Sequence, residues 1–372
     1  MKIGYDAKRA FCNKTGLGNY SRFVLENIFK ISSPELKIVA FTPKVEMGFF
    51  ETFPFEKIIM PKKSIFSSLW RMYFIKNDIK KQKISLFHGL SNEIPIFTNW
   101  GKIKTIVTIH DLIFLKYPTY YTFFDRHIYN FKFKFACKKV DKIIAVSEKT
   151  KADIIHFYKI PENKIEVIYQ SFNEVFKKEI SILDQKKILN KYGINKPFLL
   201  SVGTLEPRKN QISIIKAFSK LVKKDFDLVL IGKGKKYKEE LETYIDKENI
   251  KNIKILETVT HNDLPAIYQA STLFIYMSLY EGFGIPIIEA LASKKAVIAA
   301  RGSCLEEAGG DGAIYVDPLN INEIASAINQ LLENQEMIED LVKKGEVHLK
   351  IFEPKLLIKK IVTLYKKLHF LQ

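Results

Sequence analysis

Residues 273–290 read LFIYMSLYEGFGIPIIEA and contain one complete strand–loop–helix unit. The apolar run Leu273–Tyr276 predicts a buried strand, and Pro286 stands where the first turn of a helix tolerates a missing N–H group. Gly282 and Gly284 permit tight backbone turns between the two elements. A buried strand followed by a tight loop and a helix is the repeating unit of a parallel, doubly wound α/β sheet.

The same alternation of short apolar runs and helical patterns continues along the whole chain. Predicted strands lie at 2–6, 36–41, 84–87, 104–109, 142–146, 197–202, 227–231, 252–256, 272–276 and 296–299, and helical patterns at 20–29, 212–221 and 321–332. The polar stretch 173–196 interrupts this series, so the sequence predicts two doubly wound domains, 1–180 and 181–350. A last helix with Pro354 near its start occupies 351–372.

Length and composition indicate an ordinary globular protein. The 372 residues exceed the size of one hydrophobic core, which favours two domains, and the apolar share of 47% excludes a disordered chain. No run of 18 apolar residues could span a membrane, and the start lacks the pattern of a signal peptide. Three scattered cysteines, Cys12, Cys137 and Cys304, form neither a metal motif nor a disulfide framework, so we expect a reducing cytoplasm.

The net charge of +18 is concentrated in one half of the chain. Residues 1–175 carry 29 basic and 16 acidic side chains, so this half alone contributes +13. One interpretation is an anionic partner for the first domain, and the other is a lysine-rich composition without functional meaning. The sequence leaves both open. A nucleic-acid-binding protein is a further alternative, although the basic residues match no recognised nucleic-acid motif.

The loop at 201–210, which follows a predicted strand, reads SVGTLEPRKN. Gly203 allows the backbone to approach a ligand. Arg208 and Lys209 follow Pro207 at the start of the next predicted helix, where free N–H groups, the positive helix end and two cations would together bind phosphate. Arginine is rare in this chain, with six residues against 53 lysines, and its planar fork suits two phosphate oxygens. The alternative is a solvated helix start.

Two acids flank the glycine loop. Glu281 ends the loop after a predicted strand, while Glu289 lies about one turn into the predicted helix 285–293. Backbone N–H groups at this helix start can bind an anion, and the Glu289 carboxylate can accept two hydrogen bonds from a vicinal diol such as ribose. If Glu289 only complemented the helix dipole, Glu281 and the two glycines would be unexplained.

Two loops of the first half are further candidates. His110 ends a predicted strand together with Asp111, but a single histidine is more often structural than catalytic. Gly16 and Gly18 precede a predicted helix and would let the backbone approach phosphate or sugar. Their loop lies ten residues beyond its strand and lacks a third glycine, so it is a poor dinucleotide fingerprint. A NAD-dependent dehydrogenase is therefore disfavoured.

The stretch 281–289 with its internal GFGIP, and the stretch VGTLEPRKN at 202–210, resemble the family-4 glycosyltransferases. The stretches FHGLSNEIP at 87–95, TIHD at 108–111 and VSE at 146–148 are similar to the same family, particularly to bacterial members that build cell-surface polysaccharides. The resemblance implies an α/β GT-B fold, in which two Rossmann-like domains face a central cleft and the last helix crosses back to the first domain. It also implies retaining glycosyl transfer from a nucleoside-diphosphate sugar.

The resemblance also implies a role for each motif. Glu289 would bind the nucleotide ribose, Glu281 a hydroxyl of the donor sugar, and His110 would face the transferred sugar. Arg208 and Lys209 would neutralise the diphosphate. The other implied donor-binding residues are Gly16, Gly18, Gly203, Thr204, Val259, Gly282, Phe283, Gly284 and Ile285. Many relatives have Gly-Arg where this chain has Gly203-Thr204, so Arg208 would supply the missing cation.

The resemblance implies neither a cofactor nor a metal, because Arg208, Lys209 and a helix end would take the place of a cation. The expected donor is GDP-mannose, and the expected acceptor is a saccharide, often one linked to a polyprenyl diphosphate. A nucleotide-sugar epimerase of the same fold is the alternative enzyme. Replacement of Glu281 by alanine is expected to spare nucleotide binding and abolish transfer.

Two segments of the first half combine aromatic with basic residues. One reads YTFFDRHIYNFKFKFACKKV at 121–140, and the other, at 64–83, joins a Leu-Trp and a Tyr-Phe pair to several lysines. Basic helices with apolar faces can lie on anionic lipid, which would place the protein on the inner face of the plasma membrane. The alternative is that both helices pack their aromatic rings into the core.

Overall fold

The computed structural model describes residues 1–13, 15–46, 53–54, 57–61, 69–96, 98, 100–223 and 225–370. The chain divides into two compact units, Met1–Ser171 together with Pro354–Gln372, and Phe172–Glu353. Each unit has its own parallel sheet and its own buried core. Among the described residues, no helix combines the length and the apolar character needed to cross a membrane.

The first unit contains a seven-stranded parallel sheet in the order β3-β2-β1-β4-β5-β6-β7. Its strands are β1 (Lys2–Asp6), β2 (Lys37–Phe41), β3 (Ile58–Ile59), β4 (Leu86–Gly89), β5 (Lys104–Ile109), β6 (Lys142–Ala145) and β7 (Ile165–Val167). Its helices are α1 (Lys8–Cys12), α2 (Gly16–Lys30), a π-helix (Trp70–Phe74), α3 (Ile75–Lys81), α4 (Ile113–Lys116), α5 (Phe123–Lys139) and α6 (Glu148–Tyr158).

The C-terminal helix, Pro354–Phe370, packs into this first unit although it is last in the sequence. Leu357, Ile361 and Leu364 join the core formed by β1 and α2, because the apolar residues of this helix recur on one face. Tyr365 is fully buried, and its hydroxyl lies 2.7 Å from Nδ1 of the buried His88 in β4.

The second unit contains a six-stranded parallel sheet in the order β10-β9-β8-β11-β12-β13. Its strands are β8 (Phe198–Val202), β9 (Asp227–Ile231), β10 (Ile253–Leu256), β11 (Leu273–Tyr276), β12 (Val297–Ala300) and β13 (Ala313–Val316). Its helices are α7 (Ile182–Lys191), α8 (Gln211–Ser219), α9 (Lys236–Lys247), α10 (Leu264–Ala270), α11 (Ile285–Ala292), α12 (Leu305–Gly309), α13 (Ile321–Glu333) and α14 (Gln335–Leu349), so the C-terminal helix is α15.

The two parallel sheets confirm the predicted pair of doubly wound folds. The strands β1, β5 and β9 begin and end at the predicted residues, and the other predicted strands agree within two residues. Three short strands, β3, β7 and β13, were not predicted, since runs of two to four residues carry too little periodicity.

Both sheets reverse their strand order at the corresponding place. In the first sheet β1 lies between β2 and β4, and in the second β8 lies between β9 and β11. The loops after β1 and β4, and those after β8 and β11, therefore leave opposite faces of their sheet and open a crevice at the carboxyl ends of the strands. Doubly wound proteins bind ligands at such switch points.

Candidate active site

The loop after β8 is held against the loop after β9 by backbone contacts. The Gly203 N–H donates to Ile231 O at 2.9 Å, and Leu205 N–H donates to Lys233 O at 2.8 Å. A Cβ atom at Gly232 would lie 1.9 Å from Gly203 O, so only glycine at position 232 permits this approach. The chain leaving β8 is thereby fixed before it reaches the predicted cations.

One local prediction for this loop was wrong. Pro207 does not open the next α-helix, because Pro207–Lys209 forms a separate 3-10 turn and α8 begins only at Gln211. Asn210 separates the two with a left-handed backbone, φ 57°, and its side chain accepts a hydrogen bond from Ser213 Oγ at 2.7 Å. Arg208 and Lys209 are consequently presented by a tight turn and not by a helix end.

Arg208, Lys209 and Glu281 form a largely buried ion cluster at the switch point of the second sheet. Arg208 Nη1 lies 3.0 Å from Glu281 Oε2, and Lys209 Nζ forms an ion pair with Glu281 Oε1. The three side chains are only 12–13% exposed. The sequence-predicted cations and the first of the two predicted acids are thus brought together, although they are about seventy residues apart in the chain.

Two hydroxyl groups orient the Glu281 carboxylate. Tyr276 OH donates to Glu281 Oε1 at 2.9 Å and accepts from Lys209 Nζ at 2.8 Å, while Ser278 Oγ donates to the same Oε1 at 2.7 Å. Sequence reasoning missed both residues. Tyr276 was predicted only as the end of a strand, and the one available signal was a polar tip at the carboxyl end of a buried strand.

The charges in this cluster are strongly stabilised. Burial alone would raise the pKa of Glu281, but the Lys209 and Arg208 charges outweigh it and lower that pKa to about 2. Burial would likewise lower the pKa of Arg208, but Glu281 and Glu206 raise it far above its ordinary value. Both groups are therefore ionised throughout the physiological range. Glu206, which forms an ion pair with Arg208 Nη2, is the most exposed member at 38%.

The glycine loop between β11 and α11 makes a tight turn at Gly284, one of the two glycines for which such a turn was predicted. Gly284 adopts φ +126° directly before α11, and a Cβ atom there would lie 2.9 Å from a methyl group of Leu305. Helix α11 begins at Ile285, so Pro286 is its second residue. The Phe283 ring is buried and packs edge-on against Phe352 at 5.3 Å between centroids, so its side chain anchors the loop.

The hydrogen-bond partner of Glu289 lies outside the ion cluster. Glu289 is the fifth residue of α11, and Tyr268 OH of α10 donates to its Oε2 at 3.2 Å. Burial raises the pKa of Glu289 to about 8, and the Tyr268 hydrogen bond only partly opposes this shift. The unliganded carboxyl is therefore mostly protonated at neutral pH. Tyr268 was not among the sequence-predicted residues.

The other predicted donor-binding residues of this unit fall into two groups. Gly203 lies beside the cluster, since a Cβ atom there would be 3.6 Å from the Tyr276 ring. Thr204 follows it and is exposed, with its carbonyl accepting from Gln211 Nε2 at 3.0 Å. Gly282 is half-buried next to Glu281. Val259 follows β10, which is separated from β8 by β9, so it lies farther along the sheet edge.

His110 lies in the first unit, at the end of β5. Its Nε2 is 2.9 Å from Leu90 O, so this nitrogen carries the proton and donates, and its backbone N–H donates to Asn92 Oδ1 at 2.7 Å. Burial lowers the pKa of His110 to about 4, against a smaller opposite effect of the Leu90 hydrogen bond. The imidazole is therefore neutral at physiological pH, and its ring packs edge-on against Tyr20.

The two glycines of the first unit have different surroundings. Gly18 lies in the first turn of α2, where a Cβ atom would be 1.9 Å from Asn13 O, so close packing requires glycine. The Gly18 N–H donates to Asn13 Oδ1 at 3.2 Å. Gly16 is exposed and has no atom within 4 Å of a Cβ position. Of the two glycines, only Gly16 has space for a side chain.

Comparisons with known proteins agree with this architecture. The family model described as "Glycosyltransferase Family 4" matches residues 36–174, and the model described as "Glycosyl transferases group 1" matches residues 184–348. The strand–loop–helix units described above and both matches define a glycosyltransferase of the GT-B fold. The chain belongs to the family-4 glycosyltransferases, as its motifs predicted.

Two curated relatives and one crystal structure are similar to the chain over most of its length. The O-antigen chain mannosyltransferase RfbU of Salmonella typhimurium is 28% identical over 89% of this chain and 90% of the relative. The O-antigen chain mannosyltransferase B of Escherichia coli is 26% identical over 78% of this chain and 76% of the relative. HepE of Anabaena, crystallised with UDP and glucose, has a TM-score of 0.77 at 17% identity and covers 99% of this chain and all of its own, which establishes the fold.

Proposed function

We propose that this glycosyltransferase is a retaining, metal-independent hexosyltransferase of surface polysaccharide synthesis. In this proposal it transfers mannose from GDP-mannose to a saccharide carried on a polyprenyl diphosphate, at the inner face of the plasma membrane. The single observation that carries the proposal is the buried Arg208–Lys209–Glu281 cluster at the switch point of the second sheet. The two mannosyltransferase relatives support the choice of sugar and product class.

The cations of the cluster would stabilise the departing nucleoside diphosphate. When the glycosidic carbon separates from the diphosphate, negative charge develops on the phosphate oxygen, and fixed cations stabilise that charge in the transition state. Lys209 Nζ donates to Tyr276 and Glu281, so one of its three N–H groups is still available. The exposed Glu206 is the member that a diphosphate would replace as the partner of Arg208 Nη2.

The two acids would hold the remaining parts of the donor. Glu281 keeps both cations in place and would accept a hydrogen bond from a sugar hydroxyl through a remaining lone pair. Glu289 would accept two hydrogen bonds from the ribose hydroxyls, which favour its ionised form and replace the stabilisation that burial removes. The amides at 283–285 would lie against the sugar and phosphate, where Gly284 sets the turn.

Retention would proceed by front-face displacement. The acceptor oxygen bonds to the anomeric carbon while the bond to the diphosphate breaks on the same face, and the departing phosphate oxygen takes the acceptor proton. Both oxygens of Glu281 already bond to groups of the chain itself, which argues against this carboxylate as a covalent nucleophile. His110 remains a proposed contact of the transferred sugar, as a neutral hydrogen-bonding group.

Helix α5 supplies the proposed membrane contact. The alternative interpretation was that the aromatic rings of this helix pack into the core. That holds only for the inner side of the helix, where Phe133 is buried. Phe124, Ile128 and Phe131 recur at i, i+4 and i+7, form one stripe on the outer side, and are 76%, 49% and 59% exposed. Three exposed lysines follow in the same helix, namely Lys134, Lys138 and Lys139. An apolar stripe flanked by cations complements an anionic lipid surface.

The second aromatic and basic segment, 64–83, also exposes apolar side chains in its described part. Residues 64–68 lie outside the described part of the chain, whereas Leu69, Tyr73 and Phe74 are 40%, 36% and 51% exposed. Trp70 is buried and its Nε1 donates to Asp78 Oδ2 at 2.8 Å, so this tryptophan serves the core.

A transfer assay with a panel of nucleotide sugars tests the proposal. Purified protein is incubated with GDP-mannose, UDP-glucose or UDP-N-acetylhexosamines and with a polyprenyl-diphosphate-linked saccharide, and NMR spectra of the product report the anomeric configuration. We expect mannose transfer with retention and unchanged rates in a chelator. Inverted product, or a donor sugar epimerised without transfer, would contradict the proposal.

A further inference from the structure

The switch point of the first sheet carries a second charged cluster, which the proposed donor site does not use. Asp6 ends β1, Lys8 and Arg9 open the following segment, and Glu93 follows β4, the neighbour of β1. Arg71, on the π-helix, reaches the same edge. Single-turn π-helices are frequent at functional sites, since they displace a side chain from the regular helical position.

Arg71 holds the two carboxylates of this cluster together. Its Nη2 lies 2.7 Å and its Nε 2.9 Å from Asp6 Oδ2, while its Nη1 lies 2.9 Å from Glu93 Oε2. Lys132 of α5 also contacts Glu93 Oε2, at 3.5 Å. Asp6, Arg71 and Glu93 are 3%, 14% and 15% exposed, so this network is largely withdrawn from water.

Among the described residues of this cluster, four cations stand against two carboxylates. The carboxylates of Asp6 and Glu93 are balanced by Arg71 and Lys132. Among the described residues, neither the Lys8 nor the Arg9 side chain makes an ion pair or a hydrogen bond, although both are half-buried. Burial, followed by the charges of Arg71 and Arg9, lowers the pKa of Lys8. A bound anion would relieve this cost.

Arg9 also acts electrostatically on His110, the residue predicted to contact the transferred sugar. The Arg9 charge contributes to the lowered pKa of His110, and both Arg9 and Lys8 contribute to the lowered pKa of Glu93. The carboxyl ends of β1, β4 and β5, which are neighbours in the sheet, therefore present one continuous polar surface. Among the described side chains at this edge, the four cations Lys8, Arg9, Arg71 and Lys132 outnumber the three carboxylates Asp6, Glu93 and Asp111.

We propose that Lys8 and Arg9 form the binding site for a diphosphate diester, a group that carries two negative charges at neutral pH. The inference rests on the proposed function, in which the acceptor saccharide is joined to its lipid by such a linkage. Lys8 and Arg9 contact the phosphate oxygens, and Arg71 is a positioning residue that holds Asp6 and Glu93 in its own ion pairs. Lys8 and Arg9 belong to the first unit, whereas Arg208 and Lys209 belong to the second.

Calorimetric titration of inorganic diphosphate tests this site, because the same chemistry could come from the nucleotide sugar or from the lipid-linked acceptor. The protein is first saturated with GDP or UDP, whichever it binds, so that the donor site is filled. We expect wild-type protein to bind one further diphosphate, and Lys8→Met or Arg9→Gln to weaken this binding by about 10-fold or more, as for loss of a charged hydrogen bond. Lys37→Met, exposed at the opposite end of β2, is the matched control.

The results distinguish the nucleotide sugar from the lipid-linked acceptor as the source of the bound diphosphate. If the Lys8 and Arg9 variants weaken nucleoside diphosphate binding instead, the diphosphate site stands but belongs to the donor. If both variants bind diphosphate as wild type does, or if saturated wild type binds none, the inference is overturned. Failure of the proposed function is recognised independently, as absence of any nucleoside diphosphate binding, and the diphosphate titration then proceeds without nucleotide. Thermal unfolding controls for folding, and Lys8→Met should leave the melting temperature unchanged or raise it.

Discussion

Arg208 Nη1 lies 3.0 Å from Glu281 Oε2, in an ion pair whose partners are each 13% exposed. The pair joins the loops that follow β8 and β11, two strands that are neighbours in the sheet but far apart in the chain. It therefore fixes both loops of the switch point at once, and Lys209 adds a second cation to the same carboxylate.

Replacement of Glu281 should separate its two roles. Glu281→Gln keeps the shape and removes the charge, so we expect kcat to fall by about 100-fold or more while nucleotide affinity changes little. Glu281→Ala leaves two buried cations without a partner and should also lower the free energy of unfolding by about 3–5 kcal/mol. Steady-state kinetics and urea unfolding measure the two effects. Undiminished turnover in Glu281→Gln would refute the assigned role.

The guanidinium of Arg208 should not be replaceable by an amine. Arg208 contacts Glu281, Glu206 and the Tyr280 carbonyl with one planar fork, and lysine cannot reproduce this geometry. We expect Arg208→Lys to lower kcat by about 100- to 1000-fold, the range found when one transition-state donor is lost. Arg301→Lys, at an exposed pair with Glu323 in the same unit, is the control and should retain full activity. If Arg208→Lys had the same kcat as Arg301→Lys, the planar guanidinium of Arg208 would not be required for transfer.

The raised pKa of Glu289 should make nucleotide binding depend on pH. The unliganded carboxyl ionises near pH 8, and the ribose hydroxyls favour its charged form, so binding should release a proton at neutral pH. Nucleotide affinity should therefore increase from pH 6 to 8 and level off above. Glu289→Gln should abolish this trend, whereas Tyr268→Phe, which removes a bond that lowers the pKa, should shift it to higher pH. Calorimetry in buffers of different ionisation enthalpy counts the protons, and a count of zero would contradict the ribose role.

The same shift affects stability with a defined sign. The pKa of Glu289 is about 8 in the folded protein and about 4.5 when unperturbed. Because the folded state binds this proton more tightly, its contribution to the free energy of unfolding is greatest below pH 4.5 and is lost as the pH rises towards 8. Glu289→Gln should thus gain stability relative to wild type between pH 5 and 8. Urea unfolding measures the free energy of unfolding of the two proteins at each pH. If the difference between them stayed the same from pH 5 to 8, a protonated Glu289 in the folded protein would be contradicted.

The outer stripe of α5 should determine binding to anionic vesicles. Phe124→Ser and Phe131→Ser each remove an exposed ring that would be buried in lipid, so we expect the binding constant to fall by about tenfold or more for each. Val347→Ser, at a 65% exposed position of α14 in the other unit, is the matched control. Sedimentation with phosphatidylglycerol vesicles and with neutral vesicles measures the effect. Equal binding by all three variants would remove α5 from the membrane contact.

The sequence predicted most of the fold because its strands are continuous apolar runs separated by helical patterns. It also singled out Arg208, Lys209 and Glu281 as candidate site residues, since they stand at strand ends within recognisable motifs. It did not predict how they pair, because Lys209 and Glu281 meet only when β8 and β11 become neighbours. The helix predicted to begin at Pro207 begins later, because Asn210 adopts a left-handed backbone that separates the turn at Pro207 from α8.

Sequence patterns did not predict several other residues described above. Arg71 carries no motif, and its partners Asp6 and Glu93 are 65 and 22 residues away in the chain. Tyr268 is an ordinary helical residue until folding places its hydroxyl on Glu289. Helix α5 was ambiguous, since aromatic residues occur on all its sides and only burial distinguishes Phe133 from Phe131.

The central claim is that Arg208 and Lys209 bind the diphosphate of a nucleotide sugar, and one calorimetric comparison tests it most directly. GDP and UDP are titrated into wild type, Lys209→Met and Lys247→Met, the last at an exposed position at the end of α9. We expect wild type and Lys247→Met to bind the preferred nucleotide equally, and Lys209→Met to bind it at least about tenfold more weakly. Identical affinities of all three proteins would contradict the account.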